Sequence, residues 1–410
     1  MNKKNSILYI INFYGTPPLN YFEKHINANK LAELVVLKLP SVKLEKECFI
    51  YNGFIMNTRT QEKRDINIKI SISLPDYLQY LLQYILNPFF LLFFVLTFNP
   101  IKYDIGIGET SFGATSIYIL KLIGIVKYSI YMNGDIVPPL KGKKSNIYIS
   151  SHTIDNIYLY SQHLLRRLGF KNDLVWYSNN QILQQDRKAN FIAKDTIVSQ
   201  AVLTDKIEIK NNLKIKKDSN TVCYIGRLDE NAGVDISIKA LKYVKKKIPD
   251  IKFLVLGGGG VSVDKYKQMA EKYGVSQNIH FYGFVPDMQE AYNIIIKSKL
   301  GLALYKPDDN NPSMYSEPSK PKEYIRLGIP VLSTLKGPNI GYEIEKYKAG
   351  FLVDYNPKSI AKVIIKILQD EKNYKKLAEG IIAFGKDYDY RKVNEKLFSE
   401  ITRRRKTSNQ

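Results

Sequence analysis

Short apolar runs alternate with stretches of helical spacing along most of this chain. Ile7 to Phe13, Tyr103 to Glu109, Tyr128 to Met132 and Leu174 to Tyr177 read as strands, with a helix from about Ser116 to Leu122 following a glycine-containing turn. Two of these runs end in polar clusters, Asn133-Gly134-Asp135 and Ser178-Asn179-Asn180. Residues 190–220 are polar and irregular and read as a crossing between domains. The pattern then restarts: strand Thr221 to Ile225, helix from about Gly233 to Lys247, strand Lys252 to Leu256, a helix from near Val263 and strand His280 to Tyr282. A helix near Met288 to Ile295 and strands Leu302 to Tyr305 and Pro330 to Ser333 complete five strand-turn-helix repeats. Alternation of this kind predicts parallel sheets covered by helices, with ligands at the strands' carboxyl ends. The expected division is 1–200, 201–375, and a segment 376–410 made of a mostly helical stretch and a basic tail.

Composition adjusts this picture in three places. At 410 residues the chain exceeds the size at which one core stops growing, and 45% hydrophobic residues supply material for two. Two cysteines, Cys48 and Cys223, and four scattered histidines exclude a disulfide scaffold and give no metal-ligand spacing, so no metal is expected. The formal charge of +22, from 61 basic and 39 acidic residues, calls for anionic surroundings: phosphorylated substrates, an anionic membrane face or nucleic acid. The aromatics form no recognisable base-stacking motif, so nucleic acid is not expected. Tyr77 to Ile101 carries no formal charge and is rich in Leu, Phe and Tyr. Asn87-Pro88 divides it, so it reads as an apolar face resting on a membrane, as buried packing, or as a span. The opening Met1 to Phe13 lacks a signal-peptide cleavage pattern and reads as a buried strand, which suggests a cytoplasmic protein, peripheral at the membrane face.

The densest chemistry lies in Ser316-Glu317-Pro318-Ser319-Lys320-Pro321-Lys322-Glu323-Tyr324, which runs into Gly328-Ile329-Pro330-Val331. Pro321 suits a first helical turn, Gly328 a left-handed cap, and Pro330 stops continuation, predicting a helix of about two turns. Glu323 is then placed to accept paired hydrogen bonds from a ribose diol, and Lys320 to meet a phosphate. The same features also describe a capped surface helix. Gly226-Arg227 after a strand gathers backbone amides and a guanidinium where a phosphate is attracted. Gly257 to Gly260 permits close backbone approach but is no nucleotide fingerprint.

Taken in order, Gly226-Arg227-Leu228, Gly257 to Gly260, Phe281-Tyr282-Gly283-Phe284-Val285-Pro286, Pro318 to Tyr324 and Gly328 to Val331 resemble the retaining glycosyltransferases of family 4. The resemblance is concentrated in residues 221 to 375. It implies the GT-B fold, an α/β architecture of two Rossmann-like doubly wound domains facing across a cleft. The N-terminal domain would hold an acceptor and the C-terminal domain a UDP- or GDP-sugar. It further implies that Arg227 and Lys320 face the donor pyrophosphate, that Glu323 holds the ribose, and that Gly283-Phe284-Val285 lies against the base, with Gly226 and Gly257 lining the site. The terminal helix would cross back to the first domain. Glu317, Asp135 and Glu109 are the carboxylates available for catalytic duty.

Several positions depart from the family pattern. Ala232 stands where a lysine is usual before Gly233, Tyr315 where the first glutamate of a Glu-x7-Glu pair is usual, and Asn133-Gly134 where His-Gly is frequent. The expected reaction is sugar transfer to an acceptor hydroxyl with retained configuration and without a bound cofactor, the acceptor being a glycan, lipid-linked or membrane-associated. The alternatives are a noncatalytic nucleotide-sugar-binding protein of the same fold, or a nucleotide-sugar epimerase.

Overall fold

The computed structural model describes residues 5–11, 17–45, 48–71, 93, 95–97, 102–134, 163–200, 203–259, 261–308, 311–314 and 316–408. The chain divides into two compact units: Met1–Ala201 with Asn394–Gln410, and Val202–Val393.

In the first unit the strands are β1 (Asn5–Ile11), β2 (Ala32–Glu45), β3 (Cys48–Asn57), β4 (Lys63–Ser71), β5 (Tyr103–Glu109), β6 (Val126–Asn133), β7 (Leu174–Tyr177) and β8 (Thr196–Val198). They form one sheet in the order β4-β3-β2-β1-β5-β6-β7-β8. Pairing is parallel from β2 across to β8, whereas β3 and β4 are added antiparallel. That antiparallel extension is absent from the sequence reading. Antiparallel neighbours need no crossover helix, so the strand-helix rhythm on which the reading relied has nothing to show there. Along β1, Ile7, Tyr9 and Ile11 enter one core layer while Leu8 and Ile10 enter the other, as expected for a strand buried on both faces. The helix Thr110–Leu122 begins earlier than the sequence suggested. It can do so because Gly108 and Gly113 let strand and helix touch: a Cβ on Gly108 would lie 2.2 Å from the Gly113 carbonyl carbon.

The second unit contains β9 (Asp218–Ile225), β10 (Lys252–Leu256), β11 (Ile279–Gly283), β12 (Ser298–Ala303), β13 (Val331–Thr334) and β14 (Gly350–Val353). All pairs are parallel, in the order β11-β10-β9-β12-β13-β14. The chain thus winds outward from β9 in one direction and then from β12 in the other. The β9/β12 boundary is the switch point at which such sheets open a crevice beyond their carboxyl ends. Six strands are found where the sequence suggested five. β12 begins four residues earlier than expected because polar Ser298 and Lys299 are buried in it; Lys299 Nζ donates to Leu368 O at 2.9 Å and pairs with Glu371. Val222 and Tyr224 of β9 pack into one helix layer and Cys223 into the other.

Ile381 and Phe384 of the helix Glu371–Asp387 belong to the second unit's core, so residues 376–393 stay with that unit. Leu397 and Ile401 of the terminal helix Tyr390–Ser408 enter the core of the first. The basic run near the terminus is tied down rather than a bare arm: Arg403 pairs with Glu400, Arg404 with Glu400 and Asp195, and Arg405 Nη1 donates to Asn5 Oδ1 at 2.9 Å. Of the uncharged run Tyr77 to Ile101, only Phe93, Val95, Leu96 and Thr97 are described, Val95 buried and the others exposed. The rest of that run lies outside the described residues. Among the described residues, no helix is long and apolar enough to cross a membrane.

Candidate active site

The loops that follow β9, β10 and β11 are laced together at the carboxyl edge of the second sheet. Gly226 N donates to Leu256 O at 3.0 Å, Gly257 N to Gly283 O at 2.8 Å, and Val261 N to Leu228 O at 2.6 Å. Gly226 and Gly257 adopt φ of 139° and 151°, and a Cβ on Gly257 would stand 1.7 Å from Gly226 O. Only glycine fits at that approach. The outcome is a shelf of bare backbone flanked by the exposed side chains of Arg227 and Phe284, the latter 74% exposed, with Val285 packed against the core beneath.

Lys320 reaches this shelf from the helix Lys320–Arg326. Its Nζ lies 3.7 Å from the centroid of the Tyr224 ring and 5.2 Å from that of Tyr305, and a Cβ on Gly226 would come within 3.1 Å of its Cε. The ammonium is therefore seated over two aromatic faces beside the glycine backbone. Burial pushes its pKa down to about 7 against the opposing charge of Asp229. A lysine held so weakly protonated is primed to gain from an incoming anion. Tyr324 fixes the helix that carries it. Its hydroxyl accepts from Ile225 N at 3.0 Å and lies 3.3 Å from Leu302 O, and its ring fills the space above Gly301, where a Cβ would come within 2.4 Å of ring carbons.

On the same helix, Glu323 Oε2 accepts from Tyr292 Oη at 2.8 Å and meets Arg326 Nη2 at 3.0 Å. Glu317 is engaged differently: it pairs with Lys322, whose fully buried ammonium also lies 4.6 Å from the Tyr388 ring centroid. Burial lowers the Lys322 pKa, and Glu317 opposes the shift. Gly226, Gly257, Gly283 and Lys320 are thus brought together, with Arg227 and Phe284 at their margin. Glu323 stands one helical turn beyond Lys320. Ala232 is buried in the core and offers no cation.

Glu109 belongs to the first unit, half-buried at the end of β5, where it adds to the burial that raises the Tyr9 pKa. Asn133 closes β6, buried and engaged at both ends of its amide. Its Nδ2 donates to Asp186 Oδ2 at 2.7 Å, its Oδ1 accepts from Tyr131 Oη at 3.3 Å, and Asp186 in turn pairs with the buried Arg166. Asp135 and Tyr315 lie outside the described residues. Among the described residues, no group of three or more His, Cys, Asp or Glu side chains is placed to hold a metal ion. A groove of about 480 Å³ along the β11 edge, lined by Lys267, Glu271, Ser276 and Tyr282, includes none of the site residues.

Residues 205–383 match the sequence profile of the family described as Glycosyl transferases group 1. They fall entirely within the second unit and contain every element of the shelf. An uncharacterized glycosyltransferase of Methanocaldococcus jannaschii is 24% identical over 326 residues, covering 76% of this chain and 80% of its own. Among solved structures, Anabaena Alr3699/HepE in complex with UDP superposes with a TM-score of 0.62 at 15% identity, covering 98% of this chain and 100% of that one. Sucrose-phosphate synthase from Thermosynechococcus elongatus gives a TM-score of 0.68 at 12% identity, covering 98% and 99%. At those identities the likeness establishes the fold, and that fold is GT-B. The group 1 glycosyltransferase profile is thus carried by the second unit, on a chain whose fold is GT-B.

The residues that the sequence pattern missed are those that hold the named ones: Tyr224 and Tyr305 under Lys320, Tyr324 under the helix, and Tyr292 and Arg326 beside Glu323. The signal was faint. Thirty tyrosines are spread along the chain, and a tyrosine near a strand end reads as core until the fold shows what lies over its ring.

Proposed function

We propose that this protein is a glycosyltransferase that moves a sugar from a nucleoside diphosphate sugar to an acceptor hydroxyl with retention of configuration. Lys320 and Arg227 hold the diphosphate, Glu323 the ribose, and the Gly283-Phe284-Val285 loop the base. The observation that carries this reading is the Lys320 ammonium seated over Tyr224 and Tyr305 against the bare backbone of Gly226 and Gly257. As the bond from the anomeric carbon to the leaving oxygen lengthens, negative charge gathers on the β-phosphate. A positioned lysine and an arginine free to swing in from solvent stabilise that charge where it develops. UDP is the first donor nucleotide to try, because Anabaena HepE is similar in fold and binds it. Glu317, committed to Lys322, anchors the loop before the Lys320 helix in this reading and is left out of the chemical step.

A charge of +22 and the uncharged run at Tyr77 to Ile101 favour a membrane-associated or lipid-linked glycan as acceptor, met at an anionic membrane face. The test is titration of the purified protein with UDP and GDP, and with their sugars, alongside Glu323→Ala. The expected outcome is binding of one nucleotide series weakened at least about tenfold in the variant, and nucleoside diphosphate release that requires an acceptor. Binding without release under any acceptor would turn the reading toward a noncatalytic nucleotide-sugar-binding protein, a role with which the missing cation at Ala232 is compatible.

A further inference from the structure

We propose that Tyr292 and Arg326 are positioning residues that brace Glu323, so that a single carboxylate oxygen meets the ribose and the site selects ribose over its deoxy forms. The inference rests on the donor-site reading above and assigns work to two residues which that reading does not use. Three side chains from two helices converge. Tyr292 comes from Met288–Ile295, and Glu323 and Arg326 from Lys320–Arg326. Tyr292 Oη and Arg326 Nη2 reach the same atom, Glu323 Oε2, at 2.8 and 3.0 Å. The guanidinium also lies over the Tyr292 ring, its Cζ 4.3 Å from the centroid, and its Nε stands 3.7 Å from Glu208 Oε1. The cluster is nearly dry: Tyr292 is 8% exposed, and the Glu323 and Arg326 side chains 14% and 18%.

A carboxylate oxygen offers two in-plane lone pairs; on Oε2 the Tyr292 hydroxyl takes one, and the Arg326 guanidinium stands against the same oxygen as its ion-pair partner. An incoming diol therefore meets Oε1, where both ribose hydroxyls can donate. A free glutamate has three torsions to order when a ligand binds. Here a hydrogen bond, an ion pair and the ring beneath the guanidinium order them beforehand, so less conformational entropy is lost on binding. The gain is confined to ligand groups that touch Oε1. Contacts to base and diphosphate do not share in it, and that asymmetry makes the idea testable.

The experiment is calorimetric titration of the full chain with UDP and 2′,3′-dideoxy-UDP, and in parallel with GDP and its dideoxy form. It uses the wild type, Tyr292→Phe, Arg326→Gln and Glu323→Gln. The wild type is expected to prefer the ribonucleotide by about tenfold or more. In Tyr292→Phe that preference should shrink about three- to tenfold, while dideoxy-nucleotide affinity stays within about twofold. In a Glu323→Gln background the same substitution should move the preference no further. A residue that merely supports the fold would weaken both nucleotides alike. An unchanged preference in Tyr292→Phe overturns the inference and leaves the donor site standing; should that variant not fold, Arg326→Gln decides in the same way. A wild type that binds both forms equally also overturns it. Failure of the wild type to bind either nucleotide overturns the donor-site reading, and this inference with it.

Discussion

At the scale of single residues, Lys320 combines two opposed demands. Its pKa is pushed to about 7 by burial, which Asp229 only partly offsets, so the folded state binds fewer protons than the unfolded chain from about pH 7 up to the ordinary lysine range. Stability therefore rises with pH through that window, and keeping Lys320 charged below it is a liability of the fold. A bound diphosphate reverses the balance by favouring the ammonium. Nucleotide binding near pH 7.5 is thus expected to take up protons, and affinity to fall as pH climbs above about 7. Calorimetry in two buffers of different ionisation enthalpy measures the uptake directly. Lys320→Met should abolish it, lower turnover by about 10²- to 10³-fold, and melt no earlier than the wild type at pH 7. A variant that keeps the proton uptake would show that another group titrates.

Elements place these side chains through close backbone approach. The Gly226 and Gly257 loops nearly touch, and the clash expected from a Cβ at Gly257 is with backbone rather than with a movable side chain. Gly274 offers the contrast: it too has a positive φ, of 69°, yet a Cβ there would meet nothing within 4 Å. Gly274→Ala is expected to lose about 1 kcal/mol of stability from backbone strain alone. Gly257→Ala should lose about 3 kcal/mol or more and weaken nucleotide binding as well, because the shelf must part. Denaturant unfolding of the two variants checks the ranking, and equal losses would mean that the loops part easily. The antiparallel β2-β3-β4 extension and the buried polar start of β12 are among the elements that sequence pattern missed. In both, the expected cue is absent: a crossover helix in the first case and an apolar strand opening in the second.

The whole molecule consists of two units with separate cores, and the shelf, Lys320 and Glu323 all lie in the second. Hydrogen exchange with and without a bound nucleoside diphosphate should therefore slow most at residues 226–229, 257–259, 283–285 and 320–326, with the β2-β3-β4 strands unchanged. Protection concentrated in those strands instead would move the nucleotide site out of the second unit. The net charge of +22 also belongs to this scale, because no single cluster carries it: the arginines near the terminus are engaged with Glu400, Asp195 and Asn5.

The sequence by itself determined the α/β class and most of the parallel strands, and it put forward candidate residues for a site. Repeating apolar runs, Gly-Arg after a strand, and Lys320 and Glu323 bracketing Pro321 are local signals that survive without coordinates. Only the tertiary structure decided what each charged group faces. Lys320 sits over Tyr224 and Tyr305, Glu323 is held by Tyr292 and Arg326, Glu317 turns to Lys322, and Asn133 is spent on Asp186. Except for Glu323 with Arg326 and Glu317 with Lys322, these partners lie far apart along the chain. A carboxylate or an ammonium in a sequence is only a capacity for interaction; the partner that folding brings beside it selects whether that capacity anchors a loop or awaits a ligand.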